Sequence, residues 1–134
     1  MKIALVTDDG ITISQHFGRA TKYAVYTLDE TKIIHRELRD KIGHHQFVQE
    51  ESAHLQQNDA RGHGYGSHAE DKHQRMFANI QDCEIVIGRG MGRGAYQGML
   101  QAGLKPIVTD IAEIEAAAQA VLDGSIIDHP EALH

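Results

Sequence analysis

The 134-residue chain reads as one α/β domain with a mixed β-sheet, a β-meander followed by an αβαβα succession. Three observations predict it. Short apolar runs closed by turn residues fill the first third; an apolar strand runs into a glycine cluster and then a helical stretch; two segments of helical periodicity each end at glycine.

Lys2–Thr7, closed by Asp8-Asp9-Gly10, has the continuous apolar character of a buried, central strand. Tyr23–Leu28 and Lys32–Leu38 are β-rich and flank Asp29-Glu30-Thr31, which predicts a hairpin. A helix is expected near Ala69 to Ile80, where His73, Met76, Phe77 and Ile80 share a face. Ile85–Ile87 then leads through the glycines to a helix ending near Ala102, with Gly103 as its stop and Lys105–Thr109 as the next strand. A right-handed crossover sets those two strands parallel. Asp110-x-x-Glu113 has the form of a capping box opening a last helix, whose apolar positions Ile111, Ile114, Ala118, Val121 and Leu122 lead to a stop at Gly124. The domain is expected to span 1–124, with 125–134 as a C-terminal tail.

Composition narrows the function classes. With 41% hydrophobic and 24% charged residues the chain has material for a single core. Its net charge of -6 has the wrong sign for neutralising the phosphates of a duplex, so nucleic acid is not an expected partner. Cys83 has no second cysteine to pair with, and no secretory pattern or membrane-spanning apolar run is visible; the expected address is a reducing cytoplasm, with no membrane partner.

Histidine is the unusual component, with ten copies, six of which (His44, His45, His54, His63, His68 and His73) fall within thirty residues. Neutral imidazole is a common ligand for zinc, nickel and related ions. His63, His68 and His73 are each five apart, which on a helix would turn successive rings by about 140 degrees, so a loop is needed to bring them to one ion. Residues 40–68 follow neither helical nor strand period and are expected to form a flexible insertion. Ordering it would cost about 1 to 2 kcal/mol per residue, against roughly 10 to 16 kcal/mol from a zinc site, so one ion could not fix the whole segment.

Three further groups carry possible chemistry. His16-Phe-Gly-Arg19 follows the first strand and brings an imidazole and a guanidinium to the sheet edge. Gly88-Arg-Gly-Met-Gly-Arg-Gly94 joins a strand to a helix, so its amides could face an anion with Arg89 and Arg93 adding charge; tight-turn packing explains the glycines equally well. It mimics a dinucleotide fingerprint, but Arg93 stands in the third glycine's place. Strand-end Asp8, Asp9 and Asp110 could hold magnesium for phosphoryl transfer or nuclease chemistry, whereas turns and caps are the simpler role. Cys83 is either a small buried residue or a soft ligand.

Taken together, Lys2–Thr7, Ile13-Ser-Gln-His-Phe-Gly-Arg-Ala20, Asp82-Cys-Glu-Ile-Val-Ile87, Gly90-Met-Gly92 and Gly103-Leu-Lys-Pro-Ile-Val-Thr109 resemble the dinitrogenase iron-molybdenum cofactor biosynthesis family. The similarity covers about 1–38 and 75–124 and leaves out the histidine-rich middle. It implies a ribonuclease-H-like three-layer fold without nuclease function, and an accessory protein, not an enzyme, that binds, carries or protects an iron-molybdenum or related metal-sulfur cluster. Cluster donors and acceptors would then be its partners. His16 matches the histidine implicated in cluster attachment, and Gly90, Met91 and Gly92 match the bend bordering the site. Arg19 and Arg93 are expected to add anion contacts, and His44, His45, His63 and His68 further metal ligands, with zinc or nickel at that loop as another reading.

Overall fold

The computed structural model describes residues 1–41 and 76–133. Five strands, β1 (Lys2–Thr7), β2 (Lys22–Leu28), β3 (Ile33–Asp40), β4 (Ile85–Gly88) and β5 (Lys105–Val108), form one sheet in the order β3-β2-β1-β4-β5. The meander β1-β2-β3 is antiparallel, and β4 and β5 continue it in parallel with β1. The mixed α/β architecture and the central place of β1 follow the apolar run Ile3–Val6, which is fully buried. Asp29 closes the hairpin because its carboxylate accepts the amides of Thr31 and Lys32 at 2.8 and 2.9 Å.

Both faces of the sheet are covered. Tyr26, opposite Ile3, carries its hydroxyl to Glu115 on the last helix at 3.0 Å. Tyr23, opposite Val6, lies on the other face, where it meets Phe17 at a ring separation of 6.3 Å.

Helix α1 (Arg93–Gln101) bridges β4 and β5, and Gly103 closes it at φ +82°. Helix α2 (Ile114–Asp123) buries Ile114, Ala117 and Ala118 and ends at Gly124, whose φ of +76° lets the Ser125 amide return to the Ala120 carbonyl. The anticipated capping box is not formed: Glu113, not Asp110, is the N-cap, and it makes no side-chain cap bond. Tertiary pairing explains the later start. Ile13 donates to Ala112, Thr12 bridges Glu113 and Ile114 donates to Ile11, so residues 111–113 are held extended against 11–13. Ile111 therefore packs on the core from outside the helix.

Of the helix expected from Ala69 to Ile80, the described part is Met76–Ile80, a helical end passing into a 3-10 turn with Met76, Phe77 and Ile80 buried. Asp40 ends β3 and Lys41 is buried; the rest of the expected insertion lies outside the described residues. The segment set apart as a tail docks at the end of β5: the Val108 amide donates to the Asp128 carboxylate and the His129 amide to the Val108 carbonyl, both at 2.8 Å. No helix among the described residues is long and apolar enough to cross a membrane.

Candidate functional site

Beyond the carboxyl ends of β1, β4 and β5 lies an open cleft of about 470 Å³. Gln15 and His16 enter it from the segment after β1, Arg89 and Gly90 from the bend after β4, and Thr109 and Asp110 from the end of β5. Crevices at this edge of a parallel sheet are where α/β domains bind ligands.

The His16 loop is fixed through its backbone. Ser14 donates its amide to Val6 and its hydroxyl to the His16 carbonyl, and accepts the His16 amide at 3.1 Å. Phe17 then drops into the core against Phe77 and Tyr23, with the Lys41 ammonium 4.7 Å from its ring centre. The loop is tied to the bend after β4, since Arg89 donates to Ser14 and Phe17 to Gly90. The imidazole of His16 stays exposed, and among the described residues nothing bonds to it.

Within the bend, Gly88 is closely packed: a Cβ there would lie 3.4 Å from both Met91 Cε and Val6 Cγ2, at the near edge of ordinary contact. Gly92, the N-cap of α1 at φ -77°, is under no such constraint, and its first-turn amides have no side-chain cap. Among the described residues nothing accepts a hydrogen bond from the amides of Gly90, Met91 or Gly92. Amides of this kind at a helix start suit an anion.

The structure thus brings His16 and Gly90 together in the cleft, with Arg89 as the guanidinium that lines it. Arg93, in the first turn of α1, and Arg19, exposed in the turn Phe17–Arg19, do not line the cleft. Met91 is 1% exposed and packs in the core, so its side chain does not line the cleft either. His44, His45, His63 and His68 lie outside the described residues, as do His54 and His73.

The strand-end aspartates do not form one site. Asp9 accepts the amides of Ile11 and Thr12 and the Thr12 hydroxyl, bonds that hold its carboxyl well below the usual carboxylate range. Asp8 accepts the Thr21 amide and hydroxyl, and Asp110 alone of the three reaches the cleft. No group of three or more His, Cys, Asp or Glu side chains among the described residues is placed to hold a metal ion. Cys83 is buried before β4, at the end of that strand away from the cleft, and burial followed by the charge of Asp82 pushes its thiol up to about 12.

His129 and Glu131 are the ionisable lining residues that the sequence reading missed. Glu131 accepts or shares a proton with His129 Nδ1 at 3.0 Å, and its carboxyl is lowered first by its own backbone amide and then by this bond. A lone His-Pro pair near the end of the sequence offers no periodic signal; its place depends on the backbone bonds that seat 128–129 on β5.

Solved structures share the fold at low identity. The protein PH0822 is 18% identical with a TM-score of 0.65, covering 98% of both chains. A Methanocaldococcus jannaschii protein provisionally assigned as a dinitrogenase is 9% identical with a TM-score of 0.60, covering 97% of this chain and 95% of that one. The apo form of the orange protein from Desulfovibrio gigas is 19% identical with a TM-score of 0.59, covering 96% and 92%. No curated protein matches the sequence significantly. The family model for the dinitrogenase iron-molybdenum cofactor matches residues 1–124, which includes β1, the His16 loop, the glycine bend and α2, and the chain belongs to that family.

Proposed function

We propose that the chain binds a preformed iron-molybdenum or related metal-sulfur cluster and carries or protects it between a donor and an acceptor protein, on a ribonuclease-H-like scaffold that performs no reaction. Family membership supports a role connected with assembly of the iron-molybdenum cofactor. The observation that carries the finer reading is the shared cleft of His16 and Gly90, where an unencumbered imidazole faces the same space as a bend with spare amides and Arg89. Metal-sulfur clusters of this kind are anionic, so the amides and guanidinium suit the periphery while the imidazole takes a metal with an open position. With its thiol buried elsewhere, the protein supplies no sulfur ligand from the described residues, which suits cargo that brings its own sulfide.

The test is anaerobic incubation of the full chain with iron(II), molybdate and sulfide, followed by metal analysis and an absorption spectrum. The expected product has a broad visible sulfur-to-metal band, and His16→Ala loses most of the bound metal. Loading that is indifferent to His16→Ala removes His16 from the site, and wild-type protein that takes up no cluster removes the carrier reading.

A further inference from the structure

We infer that His129 is a second anchor for the cargo, its Nε2 binding a metal of the same cluster from the far wall of the cleft. The inference rests on the carrier reading above. His16 enters after β1 and His129 at the end of β5, with β4 between those two strands, so the two imidazoles approach the cleft from opposite sides of its central strand.

The ring of His129 is prepared for this work. Its backbone is seated on Val108 through the neighbouring Asp128 carboxylate and its own amide, and the Tyr96 hydroxyl also reaches Asp128, at 3.3 Å. Nδ1 bonds the Glu131 carboxylate at 3.0 Å. A carboxylate on one ring nitrogen holds the proton there and leaves the other nitrogen with its lone pair outward, the arrangement found behind metal-binding histidines. Nε2 makes no hydrogen bond among the described residues: Asp110 Oδ2, on the same cleft, stands 3.9 Å away, within ion-pair reach of a protonated ring but beyond hydrogen-bond distance. Asp110 is an exposed negative charge beside an anionic passenger and opposes loading.

The experiment uses full-length protein loaded anaerobically with iron(II), molybdate and sulfide, and follows iron release to a ferrous chelator together with metal content. His129→Gln should still load but release iron more than about tenfold faster, since loss of the outer partner of a metal-binding histidine alone weakens a site about tenfold or more. Glu131→Gln should fall between wild type and His129→Gln, and Asp110→Asn should slow release. Equal melting temperatures for wild type and the three variants show that the segment remains seated on β5. Wild-type release rates in folded His129→Gln overturn the anchor and leave the His16 cleft standing; failure of the wild type to load brings down both.

Discussion

The Phe17 amide donates to the Gly90 carbonyl at 3.0 Å, joining the residue that follows His16 to the bend that follows β4. That bond makes the loop and the bend one structural unit, and the buried Phe17 ring is what holds the unit down. Phe17→Ala should cost about 3–5 kcal/mol in urea denaturation through the cavity it leaves against Tyr23 and Phe77. A loss under about 1 kcal/mol, outside that range, would show that the loop rests on its backbone bonds alone.

Lys41 gives the fold a pH dependence at the alkaline end. It is 2% exposed, with the Ala20 carbonyl at 3.3 Å, and burial, partly offset by Asp8, lowers its ammonium from 10.5 to about 8. Between those values the unfolded chain holds a proton that the folded chain has released, so stability rises with pH through this window. The full effect is about 3 kcal/mol. Lys41→Met should abolish it, which is read as the difference between wild-type and variant urea midpoints from pH 7 to 11.

At the acid end the sign reverses. Asp9, whose folded carboxyl lies below its ordinary 3.8, stabilises the fold above that value and ceases to as pH falls through the folded one. Asp9→Ala should lower the melting temperature at pH 7 and flatten its decline on acidification below pH 4; parallel wild-type and variant curves would assign the bonds to Ile11 and Thr12 no net role.

Two glycines separate backbone need from free space. Gly124→Ala forces a side chain into φ +76° and should cost about 1–2 kcal/mol, although nothing lies within 4 Å of the added methyl. Gly92→Ala, at φ -77° with equal space, escapes that strain but puts a poor N-cap residue at the start of α1, and should cost less than about 1 kcal/mol by thermal melting.

The sheet was legible because Ile3–Val6, the hairpin and Ile85–Ile87 carry strong local patterns, and Gly103 and Gly124 end their helices for local reasons. The start of α2 was not, since the pairing of Thr12 with Glu113 joins residues a hundred positions apart and overrides a plausible capping box. Half of the cleft could be anticipated from His16 and the glycine bend. His129 could not, because isolated residues acquire a neighbourhood when a terminal segment docks, and charge alone did not distinguish Arg89 from Arg93.

On the proposed carrier role, the burial of Cys83 at the other end of β4 would set the terms of exchange. A passenger held by imidazole nitrogen and peptide dipoles would be kinetically labile, and an acceptor offering thiolates to soft metals would draw it away by simple substitution. Unloading would then require neither a reductant nor unfolding of the carrier, and reagents that block accessible thiols would silence the recipient while leaving the donor of that exchange untouched.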